Sequence, residues 1–384
     1  MKRSSYATIA AALLLILVLF PATVTAIDGL EENRSVAIEG AESLGALLVR
    51  DDGGVVAGGA DAVGPALWFI GADGEMSGNG TVGAGNATTI SYLAEARDGN
   101  LLLFTDASDL LRVDETGTIM WTWHLPFGEA AGLDSDGEST YIASNYIHAM
   151  LYKVGPGGTE QWNRSFADTS GVGYARLTTV RMLADGGFAA AGYVQPLADE
   201  TDPTGFLLLG DGEGVTTAEV RYGHEGIGYI TSLRLRPDGG FLATAIATDG
   251  VTPLLLRLSP GGTLEESIEF GKRLEMAYWA AEAPTGGAYV LGYDADVVTG
   301  EPQYLLLGLD EAGSQAWMLW FGDDRVTAIA KTGDGGIAVG TGTGTITVYL
   351  PETAEGGHVV TDWWLILFGI LAGGIAFLLI KRQM

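Results

Sequence analysis

The sequence predicts an all-β fold, a seven-bladed β-propeller closed by an N-terminal strand, with a single C-terminal transmembrane helix. Three observations carry this: a glycine turn that recurs seven times, a spare strand ahead of the first copy, and an 18-residue run of apolar residues and glycine at 363–380.

The recurring unit is a glycine turn followed by a short apolar strand. It reads Asp52-Gly-Gly-Val-Val-Ala-Gly, Asp98-Gly-Asn-Leu-Leu-Leu-Phe, Asp136-Gly-Glu-Ser-Thr-Tyr-Ile and Asp185-Gly-Gly-Phe-Ala-Ala-Ala-Gly. It returns as Asp238-Gly-Gly-Phe-Leu-Ala-Thr, Thr285-Gly-Gly-Ala-Tyr-Val-Leu-Gly and Asp334-Gly-Gly-Ile-Ala-Val-Gly, at intervals of 46, 38, 49, 53, 47 and 49 residues. Asp-Gly and Gly-Gly between apolar runs are hairpin signals, because these residues accept the backbone angles that tight turns require. A short strand precedes each turn, as at 231–236. An apolar third strand follows it, as in Gly205-Phe-Leu-Leu-Leu, and then a fourth that alternates, as in Glu266-Ser-Ile-Glu-Phe. Four short antiparallel strands in each period are one propeller blade, with the third strand buried on both faces and the fourth at the rim.

The seventh copy runs through Thr345-Ile-Thr-Val-Tyr-Leu and stops at Pro351, one strand short. The spare strand Arg34-Ser-Val-Ala-Ile-Glu-Gly resembles the fourth strands elsewhere. Pairing the two closes the ring and removes two exposed edges. A β-solenoid or a two-sheet sandwich is the other architecture this pattern admits.

The two ends set an address. Lys2 and Arg3, an apolar run at 10–20 and the small residues Val24 and Ala26 read as a secretory signal peptide over 1–26; a retained anchor is the alternative. The run 363–380 spans roughly 27 Å as a helix, opens on Trp363 and Trp364 and is followed by Lys381 and Arg382. The positive-inside rule puts residues 381–384 in the cytoplasm and the propeller, 27–350, outside, on a stalk of residues 351–362 that reaches at most about 40 Å. The protein is thus expected to be a type I single-pass cell-membrane protein. Gly369 and Gly373 form a Gly-x-x-x-Gly spacing that permits close helix pairing.

Composition limits the chemistry. Against 48 acidic residues stand 20 basic ones, a net charge of −28, which argues against nucleic acid as a partner. Outside the leader and tail it is more negative still, since Lys2, Arg3, Lys381 and Arg382 fall there with Asp362 alone. There is no cysteine, so disulfides, thiolate metal sites and cysteine nucleophiles are excluded, and four histidines leave little for zinc or haem. Asn33, Asn79, Asn86 and Asn163 each open an Asn-x-Ser/Thr acceptor for glycosylation, four of only six asparagines. A cysteine-free, acidic, sequon-rich surface protein resembles an archaeal envelope protein.

Three copies carry a tryptophan four residues after the second turn glycine: Trp121 after Gly117, Trp162 after Gly158, and Trp317 after Gly313. The pattern, closest in Asp114-Glu-Thr-Gly-Thr-Ile-Met-Trp, resembles the docking motif of quinoprotein-like (pyrroloquinoline quinone repeat) propellers. That resemblance implies a structural tryptophan packed between blades. Quinone dehydrogenases of the group usually have eight blades, a calcium ion and often vicinal cysteines. Seven copies without cysteine instead suit its cofactor-free scaffold members.

Candidate sites are few. Asp134, Asp136 and Glu138 alternate around a glycine turn and are the ligand type that calcium takes; an acidic hairpin turn is the other reading. Asp51-Asp52 and Asp323-Asp324 share that ambiguity. His124 has aromatic neighbours but no acid beside it in sequence. The expected function is a membrane-anchored extracellular propeller, a non-enzymatic scaffold for binding or assembly with an extracellular protein or glycan partner and no cofactor. Alternatives are a surface hydrolase, lyase or oxidoreductase with its site at the channel mouth, and a solute-capture protein with an aromatic-lined pocket.

Overall fold

The computed structural model describes residues 30–351 except 84, 115, 167–172, 197–201, 271–273, 285, 296–300 and 323. The expected signal peptide, transmembrane helix and tail lie outside these residues, as does the expected stalk except Pro351, which ends the last strand. Among the described residues no helix is long and apolar enough to cross a membrane.

Within Leu30–Leu350 the chain forms seven four-stranded sheets. Blade 1 contains β2 (Ala41–Val49), β3 (Val55–Asp61), β4 (Pro65–Ile70) and β5 (Met76–Thr81). Blade 2 contains β6 (Ile90–Glu95), β7 (Leu101–Thr105), β8 (Asp109–Val113) and β9 (Ile119–His124). Blade 3 contains β10 (Glu129–Ser135), β11 (Thr140–Asn145), β12 (Ala149–Val154) and β13 (Glu160–Phe166). Blade 4 contains β14 (Gly173–Met182), β15 (Phe188–Pro196), β16 (Thr204–Gly210) and β17 (Thr216–Arg221). Blade 5 contains β18 (Ile227–Leu235), β19 (Phe241–Ala247), β20 (Pro253–Leu258) and β21 (Leu264–Glu269). Blade 6 contains β22 (Met276–Glu282), β23 (Ala288–Ala295), β24 (Pro302–Leu309) and β25 (Gln315–Gly322). Blade 7 has β26 (Val326–Lys331), β27 (Ile337–Thr341) and β28 (Thr345–Pro351), and its fourth strand is β1 (Leu30–Ala37).

The seven-bladed propeller and its closure are therefore as the sequence predicts. Ser35 lies opposite Thr347, their hydroxyls 3.1 Å apart, and the Ile38 amide donates to Gly344 O at 2.9 Å, so β1 runs antiparallel to β28. The closing strand begins earlier than the sequence suggested. Residues 38–40 instead turn the chain into blade 1, with Gly40 at a φ of 84°.

Every glycine turn of the repeat joins the first and second strands of a blade. In the first, the Gly54 carbonyl accepts from Arg50 N at 2.9 Å and Gly53 sits at a φ of 82°, where a side chain would be strained. Third strands are buried nearly throughout, as in β16, and fourth strands alternate, as in β17 and β21.

The core is divided. Seven apolar clusters lie one in each wedge between neighbouring blades, as where Ala189, Ala191 and Leu207 of blade 4 meet Ile230, Leu233 and Phe241 of blade 5. Each blade thus buries its apolar residues only by standing beside two others, and stability belongs to the closed ring.

First strands of neighbouring blades pack together around the central channel, as β10 does with β14 and β2 with β6 and β26. All seven carry a β-bulge against their second strand, as between Leu44 and Ala46, Leu177 and Thr179, or Ala277 and Trp279. A bulge adds local twist and re-aims side chains, which suits strands converging on an axis.

Aspartates in the turns make the ring acid-sensitive. Asp61 is held below the ordinary carboxylate range by the Val63 amide, Asp98 by the Arg112 guanidinium, Asp114 by the Thr116 hydroxyl and Asp249 by the Thr252 hydroxyl. A carboxylate whose folded pKa is depressed stabilises the fold above its unfolded value and loses that contribution as pH falls through the folded value. The melting midpoint should therefore hold steady down to about pH 4 and drop below it. A flat midpoint between about pH 4 and 2 in a pH series of thermal melts would contradict this.

Candidate binding site at the channel mouth

The turns between first and second strands, and those between third and fourth strands, share one face of the ring. At the channel mouth on this face the ends of β14, β18, β22 and β26 surround a pocket of about 460 Å³. Its walls include Arg181, Arg234, Arg236, Lys331, Trp279 and Glu282. Four cations, with Glu282 the one lining acid, stand out on a chain whose net charge is −28.

Each cation is held differently. Arg181 reaches across three blades: its Nε donates to Leu233 O at 2.6 Å, and its Nη1 donates to Leu133 O at 3.3 Å and lies 3.9 Å from Asp134 Oδ1. Arg236 is neutralised locally, 2.7 Å from Glu282, 3.0 Å from Asp238 and 3.3 Å from Glu265. Lys331 Nζ donates to Glu282 O at 2.9 Å.

Arg234 makes no ion pair among the described residues. Its guanidinium lies over the Trp279 ring, 5.6 Å from the centroid, and its Nε is buried without a partner. Burial, with the Arg181 charge beside it, pushes this guanidinium down to about 9. The shift means that the fold holds its charge at a cost that an arriving anion would relieve. Trp279 is only 6% exposed, and its Nε1–H also lacks a partner among the described residues. Two buried donors, Arg234 Nε and Trp279 Nε1, are thus left unsatisfied within the wall of the mouth among the described residues. Behind them, burial and then the Asp134 charge raise the Tyr92 phenol, which stays a neutral donor.

The three carboxylates that suggested calcium do not converge. Asp134 accepts from the Met182 amide of the next blade at 2.8 Å, whereas Asp136 accepts from Glu138 N and Ser139 N of its own turn. Among the described residues no group of three acidic or histidine side chains is placed to hold a metal ion. Of the paired aspartates, Asp52 caps its own turn at Gly54 N and Asp324 accepts from the Thr343 hydroxyl. Asp323 lies outside the described residues. His124 corrects the sequence reading: β8 and β9 pair Asp109 opposite it, and Nδ1 lies 2.9 Å from Asp109 Oδ1.

The repeat tryptophans lie on the outer strands. Trp121 Nε1 donates to Pro156 O and Trp162 Nε1 to Gly212 O, each at 2.8 Å, so each indole reaches the outer turn of the following blade. The indoles rest on Gly158 and Gly214, where an added methyl would come within 2.7 and 3.0 Å of the rings. Trp317 packs beside Tyr289 at 5.8 Å. Asn33, Asn79, Asn86 and Asn163 are all exposed, and Asn33, Asn79 and Asn163 lie on the outer strands β1, β5 and β13.

Sequence reasoning missed Tyr92, Arg181, Arg234 and Trp279. A signal existed in Leu233-Arg-Leu-Arg236, where two cations alternate with leucine on a first strand.

The fold is that of WD40-like propellers. A solved structure described as the WD40 beta propeller domain of Doa1 superimposes with a TM-score of 0.59 at 14% identity, covering 85% of this chain and 98% of that one. A chain of the Mitotic Checkpoint Complex gives 0.62 at 11% identity, covering 86% and 95%. No protein-family model and no curated protein sequence matches the chain.

Proposed function

We propose that the protein is a membrane-anchored extracellular scaffold, non-enzymatic, that docks an acidic segment of a partner protein at the cationic channel mouth. The observation that carries this is the collection of Arg181, Arg234, Arg236 and Lys331 around one pocket of an otherwise strongly acidic chain. Of the four, Arg236 is matched by three carboxylates and Arg181 lies beside Asp134, so Arg234 and Lys331 are the charges left to select where an acidic segment engages. The WD40-like fold supports a protein-interaction role, since propeller turns converge on such mouths. The leader and the 363–380 run support anchoring outside the cell, and the exposed acceptor asparagines are compatible with glycosylation there.

The test is binding of a fluorescent glutamate-rich peptide to the full-length protein. Arg234→Gln should weaken it about thirtyfold, as loss of a desolvated hot-spot charge does, and added salt should weaken it further. Arg97→Gln, whose side chain is 67% exposed in the neighbouring Asp136 pair, should change little. Equal binding by wild type and Arg234→Gln would overturn the proposal. So would tighter binding to anionic vesicles than to the peptide.

A further inference from the structure

The opposite face of the ring, where first strands begin, has a second mouth of different chemistry. A pocket of about 470 Å³ is lined there by Tyr278, Tyr293, Tyr304, Ser43, Thr89 and Thr327, with Arg325 as its one charged wall residue. Six of its ten lining residues carry hydroxyl groups, and none is a carboxylate.

Two of those hydroxyls are unsatisfied. Tyr278 Oη and Thr89 Oγ1 are buried and have no hydrogen-bond partner among the described residues. A buried polar group left unpaired costs free energy that a ligand or water must supply. Burial, then the nearby Tyr304, pushes the Tyr278 phenol above its ordinary value, so it remains an O–H donor across the working pH range. The tyrosines also supply aromatic surface: Tyr293 and Tyr304 face each other across β23 and β24 with ring centroids 6.1 Å apart.

The wall composition selects the ligand class. A pocket for a simple anion concentrates cations, as the other mouth does. A pocket for an apolar molecule is lined by apolar side chains. Hydroxyls both donate and accept, so a wall of them matches a ligand whose own groups do the same. Aromatic rings next to hydroxyls accommodate a ring that has C–H faces and O–H edges. The volume is within the range of small-ligand sites, about 300–1,000 Å³.

We propose that this mouth binds a sugar residue of a glycan, with Arg325 favouring one that carries a carboxylate, as a uronic acid does. The site is separate from the cationic mouth, so either can be lost without the other.

Saturation-transfer NMR on the full-length protein, in a detergent without a sugar headgroup, tests it with glucuronate, glucose and acetate. Glucuronate should bind in the millimolar range, glucose about threefold to tenfold more weakly, and acetate not detectably at about 10 mM. Tyr278→Phe, which removes only the unpartnered hydroxyl, should weaken both sugars about tenfold with an unchanged melting midpoint. Arg325→Gln should bring glucuronate down to the level of glucose. If neither sugar shows transfer, or acetate binds as well as glucuronate, the proposal is wrong. Equal sugar binding by Tyr278→Phe would also overturn it. The glutamate-rich peptide should bind Tyr278→Phe as it binds wild type. Its loss there would mean that the two mouths are not independent.

Discussion

Deleting residues 30–37 should lower the melting midpoint by on the order of 10 °C or abolish cooperative unfolding altogether. The deletion removes β1, leaves the edge of β28 unpaired and opens the wedge between blades 7 and 1. That seam is tied by more than its strand pairing. Arg34 on β1 donates to Gly71 O at 3.1 Å, to Gly53 O at 2.6 Å and to Ala72 O, all on turns of blade 1. Ala72 is the second residue of its outer turn, the same position that Pro156 and Gly212 hold where Trp121 and Trp162 donate. The guanidinium therefore does at the closure what the indoles do elsewhere. A synthetic peptide of residues 30–37 added to the deleted protein should restore part of the midpoint. An unchanged midpoint in the deleted protein would show that the closing strand is dispensable.

Gly192→Ala should destabilise the protein by about 3 kcal/mol, at the upper end of the usual cost of overpacking. Gly192 pairs with Leu177 beside the bulge of β14, and a methyl there would lie 1.8 Å from the Arg176 carbonyl oxygen. Backbone must move to admit it. Gly59 and Gly292 oppose the bulges of β2 and β22 in the same way, with clashes at 1.9 Å on Ser43 O and 2.3 Å on Met276 O. Gly340 is the contrast: its nearest neighbours are side-chain carbons at 3.4 Å, and Gly340→Ala should cost less than about 1 kcal/mol. Denaturant midpoints of the two variants decide the matter, and equal midpoints would contradict it.

These glycines show how far the sequence can be read. The turn glycines were legible because a tight turn is a local event, written in adjacent residues. Gly192, Gly292 and Gly340 end three of the repeat copies quoted above, so their recurrence was visible but its cause was not. Gly192 and Gly292 are required by a bulge in another strand, whereas Gly340 opposes the bulge of β26 with room for a methyl. The outer tryptophans were legible by their fixed offset from a turn. The cationic mouth was not, because Tyr92, Asp134, Arg181 and Arg234 come from four blades, 42, 47 and 53 residues apart in sequence. Asp134 illustrates the difference. Beside Asp136 and Glu138 it suggests a calcium loop, whereas across the blade boundary it caps the Met182 amide and faces Arg181.

The antiparallel pairing of β1 with β28 also fixes how the ring can be held. Leu30 and Leu350 both lie at the edge where the turns between first and second strands are found, on the same side as Arg234. The chain therefore enters and leaves the ring on the arginine-lined side, and the tyrosine-lined opening lies on the face away from both junctions. Coupling through a side chain on an outer strand leaves both openings clear, so one support serves for sugars and acidic peptides alike.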